Sequence, residues 1–127
     1  MRGHADFEKC GPQTIKAYQA TVTLHAERVA ISRRGLGRVA SDAHTVIPLA
    51  EIVQVQWKDP TMLANGCVFM ATAEDVKTVT ALGTSKEKAI GGNPHVVLFT
   101  SYQRKQYAEL RMALAGLLPE VPTAPIG

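Results

Sequence analysis

The sequence predicts a mainly β, α+β domain in which seven short antiparallel strands precede one C-terminal helix. Three observations carry this. Short segments alternate polar and apolar residues at period two. Gly, Pro and Asn-Gly signals punctuate them at close intervals. After Thr100 the apolar spacing changes to three and four, the period of a helix stripe.

Taken in order, Thr21–His25 and Arg28–Ser32 both alternate, and only Ala26-Glu27 separates them, a hairpin spacing. Pairing would put Val22, Leu24, Val29 and Ile31 on one face. His44–Ile47 is a third strand ended by Pro48, which cannot donate to a ladder. Leu49–Ile52 reads as a brief turn or a single helical turn. Val53–Lys58 alternates cleanly, with Val53, Val55 and Trp57 expected to face the core and Gln54, Gln56 and Lys58 to face water. Asn65-Gly66 signals a turn, and Cys67–Ala71 is short and apolar enough for a buried strand. Val76–Leu82 alternates as a further strand candidate, Gly83–Pro94 is a loop with three glycines, and His95–Thr100 is the last strand. The helix should span about 102–118, with Ser101 as N-cap, Pro119 as the stop, and Tyr107, Leu110, Leu114, Leu117 and Leu118 along its apolar stripe. Leu110 and Leu114 are expected to pack against the strands that carry Val55 and Val97.

The ends read differently from the middle. Residues 1–16 mix charge, Gly and Pro without periodicity and are expected to be a flexible N-terminal tail. Residues 119–127 hold three of the seven prolines and are expected to be a Pro-rich C-terminal tail, leaving 17–118 as the domain. A chain of 127 residues, 46% apolar and 20% charged, suits one globular domain. The net charge of +3 permits an anionic partner without requiring one. Cys10 and Cys67 form neither a disulfide framework nor a zinc-ligand spacing, and Cys67 is expected to be a small core residue. There is neither an apolar run long enough to span a membrane nor a hydrophobic block near Met1, so the expected location is cytoplasmic, with no transmembrane segment.

Ile47-Pro48-Leu49-Ala50-Glu51-Ile52-Val53-Gln54-Val55-Gln56-Trp57-Lys58 resembles a stretch of an uncharacterised pleckstrin-homology-like (PH-like) family of actinobacteria and their phages. Asn65-Gly66 falls where that family turns. His95–Phe99 is similar to its last strand, and Tyr107 with Leu110 matches the aromatic and leucine of its helix. Thr21-Val22 and Arg28–Gly35 resemble its opening hairpin, although Ala17 and Ala20 stand where the family tends to carry glycine. The resemblance covers roughly residues 17–118. It implies a bent antiparallel seven-stranded barrel capped by one C-terminal helix, and it brings no catalytic residues and no agreed ligand.

Chemical motifs are sparse. Gly83-Thr84-Ser85-Lys86 has the wrong spacing for a phosphate loop, and Gly35-Leu36-Gly37 suits a hairpin turn. His4, His25, His44 and His95 are isolated in sequence, so no metal site is expected, and the last three are expected at solvent edges. Glu74-Asp75 reads as a solvated turn. No catalytic residue and no cofactor are assigned, and the chain is expected not to be an enzyme. Arg28, Arg33, Arg34 and Arg38 lie in eleven positions free of acids, and guanidinium groups suit phosphates and carboxylates. With Lys86 and Lys88 they are the candidate binding residues. Trp57 is expected to pack in the core, whereas a rim position would make it an interface residue. The expected function is protein binding through open strand edges and loops, with a homodimer among the options. The alternative is an anion-surface binder, reading phospholipid headgroups or nucleic-acid phosphate through the basic loop.

Overall fold

The computed structural model describes residues 12–34, 43–82 and 93–126, with the backbone alone for 78–82. Eight strands and two helices of ten or more residues stand among them: β1 Gln13–Ala17, β2 Ala20–Leu24, β3 Arg28–Arg33, β4 His44–Pro48, β5 Ile52–Lys58, β6 Gly66–Thr72, α1 Ala73–Leu82, β7 Val96–Phe99, α2 Arg104–Leu117 and β8 Thr123–Pro125. The protein is mainly β with a C-terminal helix, as the sequence predicts. In place of the expected bent antiparallel seven-stranded barrel, the described residues form two four-stranded sheets ordered β1-β2-β3-β4 and β7-β6-β5-β8, with no closed barrel among them.

The first sheet is an antiparallel meander. Val22 pairs with Ile31 and Leu24 with Val29, so the four apolar side chains share the inner face as expected. The Ala26-Glu27 hairpin closes with His25 N–H donating to the Arg28 carbonyl at 2.9 Å. Strand β1, expected to be tail up to residue 16, pairs with β2 over its whole length. Its inward side chains are Ile15 and Ala17. The signal was short: only Ile15 and Ala17 alternate before the turn at Tyr18-Gln19, where Gln19 takes a positive φ of 54°.

In the second sheet a bulge between Ile52 and Gln54 changes the reading of β5. The extra residue turns Ile52 inward and leaves Val53 exposed, contrary to the expected inward Val53. Gln56, expected in water, is buried on the opposite face to Val55. That face carries a second, smaller apolar cluster of Phe69, Ala71 and Val96, with Cys67 and Ile126 at its margin. Cys67 is therefore half-buried and lies outside the main core. Strand β8, in the expected tail, lies parallel to β5 with Val55 opposite Thr123 and Trp57 opposite Pro125.

The main core fills the space between the sheets and α2. Leu110 and Leu114 join Val55, Val97 and the inner residues of the first sheet in one cluster, which bears out the expected packing. Phe99 meets Tyr107 edge to face, with centroids 5.7 Å apart. The helix entry differs from the expected Ser101 cap. Thr100 is the N-cap of a 3-10 turn over Ser101–Gln103, and its N–H donates to Gln103 Oε1 at 3.0 Å.

The expected strand at Val76–Leu82 is helix α1 instead. Thr72 and Asp75 form a capping box, the Thr72 N–H donating to Asp75 Oδ2 at 2.9 Å and the Asp75 N–H to Thr72 Oγ1 at 3.4 Å. Two free amides at the helix start are satisfied this way, and Glu74 and Asp75 suit its positive end. Alternation of Val and Thr suggested a strand; the capping signal at Thr72-x-x-Asp75 outweighed it.

Candidate functional site

The basic residues singled out from the sequence do not converge. Arg28 and Arg34 are exposed at opposite ends of β3, six residues apart and so roughly 20 Å along a strand at ~3.3 Å per residue. Arg38, Lys86 and Lys88 lie outside the described residues. Arg33 is not a surface group: it is 9% exposed. Its guanidinium donates to Thr45 Oγ1 at 3.1 Å, to the Pro94 carbonyl at 2.7 Å and to the Val96 carbonyl at 2.8 Å. Along β7 the even-numbered carbonyls point away from β6. Arg33 takes that of Val96, as well as that of Pro94 just before the strand, and the Tyr18 N–H takes the next, Leu98, at 2.8 Å. A guanidinium and a turn amide thus occupy the outer edge of β7, joining the two sheets where a barrel would use a strand.

The histidine expectation is corrected in the same region. His95 Nδ1 lies 2.5 Å from Asp75 Oδ2, and Asn93 Nδ2 donates to Asp75 Oδ1 at 3.2 Å. Asp75 is buried rather than a solvated turn residue. Burial opposes its ionisation, but hydrogen bonds from Thr72, His95 and Asn93 and the His95 charge outweigh burial and hold the carboxyl below its ordinary value of 3.8. The group ties the start of α1 to the start of β7. Because the native pKa is depressed, its stabilisation is present above the unfolded value and is lost as pH falls through the native one. Asp75→Asn should therefore cost about 1–3 kcal/mol at neutral pH, the range for breaking hydrogen bonds to a buried charged group. The gap from the parent should shrink below pH 3.8. Urea titrations at both pH values check this; an equal gap at both would contradict it.

A hollow lies elsewhere, between α2, β5 and β8. It has a volume of about 300 Å³, and its walls include Val55, Trp57, Tyr107, Met112, Leu118 and Thr123. The helix stripe and the alternation of β5 place these residues, since Trp57 and Val55 project toward α2 from the same strand face. Arg111 lies over the Trp57 ring, its guanidinium carbon 3.7 Å from the centroid, and 5.6 Å from the Tyr107 centroid. The Tyr107 hydroxyl donates to Asp59 Oδ1 at 2.5 Å. Burial and that carboxylate acceptor push the phenol pKa well above its ordinary value, so it remains a neutral donor. Arg111 Nη1 stands 3.8 Å from the same, largely exposed carboxylate, a loose pair of little energetic weight.

Trp57 is thus half-buried, packed against the core on one side and forming the groove wall on the other. Met112 beside it is 76% exposed. The sequence stripe showed Tyr107 and Leu114; Arg111 follows Tyr107 by one helical turn, and only the placement of β5 reveals that it lies over Trp57, with Met112 lining the same groove. No group of three or more potential metal ligands occurs among the described residues, and no described helix is long and apolar enough to cross a membrane.

No family model matches the sequence, and no curated protein or solved structure matches it either.

Proposed function

We propose that this chain is a non-enzymatic, PH-like binding module that holds a protein partner, with the groove between α2, β5 and β8 as its contact surface. The observation that carries this reading is the groove's composition. Trp57, Tyr107 and Met112 offer apolar area at its floor and rim, and Arg111 adds a half-exposed guanidinium. Aromatic, Met and Arg side chains around a concavity are the types that concentrate binding energy at protein interfaces.

The structure narrows the route expected from open edges. Strand β8 occupies part of β5, with the Val55 N–H donating to the Pro122 carbonyl at 3.0 Å and the Ile126 N–H to the Trp57 carbonyl at 2.8 Å. Arg33 and Tyr18 occupy the edge of β7. A side chain entering the groove fits this arrangement better than a strand added to the second sheet. The reading through the basic loop loses Arg33 to the sheet junction.

Trp57 is the single tryptophan, so its emission reports directly on the groove. Peptides selected against the folded chain from a displayed random library should shift that emission. They should bind Ala115→Trp at least tenfold more weakly, because Ala115 is exposed on the groove wall and the larger ring fills it without entering the core. Peptides that bind both proteins equally, or a selection that yields none, would overturn the reading.

A further inference from the structure

The turn between β5 and β6 displays two apolar side chains that neither the core nor the groove uses. Met62 is 87% exposed and Leu63 98%. Looseness does not account for this. Thr61 Oγ1 accepts from the Leu63 N–H at 3.3 Å and from the Ala64 N–H at 3.0 Å, and the Thr61 N–H donates to the Ala64 carbonyl at 2.9 Å. At the base of the turn, a Cβ on Gly66 would lie 2.4 Å from the Lys58 carbonyl oxygen and from the Pro60 nitrogen. Glycine alone permits that approach, which folds the chain tightly and presents residues 62 and 63 outward.

Strand direction places other groups at the same end. β5 ends there, β6 begins there, and β7, antiparallel to β6 with Phe99 opposite Gly66, also ends there. The 3-10 turn leaving β7 carries Tyr102, 95% exposed, and the first turn of α2 carries exposed Arg104 and Lys105. Asp59, an acid of that end, is engaged by the Tyr107 hydroxyl and faces Arg111.

We propose that this end of the domain docks on an anionic phospholipid bilayer, Met62 and Leu63 entering the acyl boundary and Tyr102, Arg104 and Lys105 meeting the headgroups. A projecting tip of two flexible apolar side chains supplies no concavity for a partner's anchor residue, whereas a bilayer receives a wedge without matched shape. An amphipathic aromatic beside it suits the interface, and the neighbouring cations complement anionic headgroups. This surface shares no side chain with the groove walls, and it stands or falls independently of the proposed protein partner.

Co-sedimentation of the full chain with vesicles tests it. Vesicles of mixed phosphatidylserine and phosphatidylcholine should retain the protein, and phosphatidylcholine alone should retain at least tenfold less. Binding should weaken steeply between about 0.1 M and about 1 M salt, as screening shortens from ~10 Å to ~3 Å. The double change Met62→Asp/Leu63→Asp should reduce binding at least tenfold with an unchanged thermal transition, and Met62→Ser/Leu63→Ser should do the same without added charge. Arg104→Glu/Lys105→Glu should abolish the preference for phosphatidylserine. Failure to bind either vesicle overturns the proposal. So does binding that survives both double changes at the tip, or a protein ligand that needs Met62 and Leu63 when vesicles do not bind.

Discussion

Replacing Leu114 by Asp is expected to remove most or all of the domain's stability. Leu114 is 2% exposed and sits in one cluster with Leu110, Val55 and Val97. Truncating such a leucine to Ala costs about 2–5 kcal/mol through lost transfer energy and the cavity left behind. A carboxylate adds the penalty of an unpaired charge in apolar surroundings. A loss of about 5 kcal/mol or more follows, against a total of ~5–15 kcal/mol for an ordinary domain. Urea unfolding followed by Trp57 emission measures it. Glu109→Ala, on the exposed face of α2, should move the same midpoint by no more than about 0.5 kcal/mol. A Leu114→Asp chain that unfolds with the parent would show that α2 does not close the core.

Replacing Arg33 by Met should cost about 2–4 kcal/mol and make the protein prone to associate. Methionine keeps much of the aliphatic stem but leaves the Pro94 and Val96 carbonyls without their guanidinium donor. The buried Val96 carbonyl left unpaired costs about 1–3 kcal/mol, and the part-buried Pro94 carbonyl adds about 1 kcal/mol. The start of β7's outer edge, at Pro94 and Val96, is then open to pair with another chain. The expected pattern is a lower melting temperature together with a mass in light scattering that grows with concentration. Had Arg33 been a ligand contact instead, its loss would leave stability nearly unchanged. The opposed results make this variant a direct measure of whether the residue serves structure or recognition.

Much of the secondary structure was legible because burial on one side imposes a period. Val22, Leu24, Val29 and Ile31 announce their shared face through alternation, and Leu110 and Leu114 announce the helix stripe. Legibility failed where that period was short, mixed or broken. Strand β1 has two inward residues, too few to stand out. The bulge at Val53 breaks the alternation at the start of β5, so Ile52 turns inward in place of Val53 while Val55 and Trp57 keep the expected face. The Val-Thr alternation in 76–82 carries β-branched residues that tolerate either state, and the cap at Thr72 and Asp75 favours the helix.

The strand-rich class, the C-terminal helix, the hairpin from β2 to β3 and the lack of a long apolar span were all readable from residue order, because each rests on local spacing. What the individual polar residues do depends instead on how distant elements pack. Arg33 looked like part of a basic surface and instead closes a sheet edge. His95 and Asp75, twenty positions apart, meet beside a helix start. Trp57 and Arg111 form a groove wall from two separate elements. The physical reason is range: hydrophobic periodicity is set by each element's own geometry, whereas the partner of a guanidinium, a carboxylate or an indole is set by which distant backbone arrives beside it.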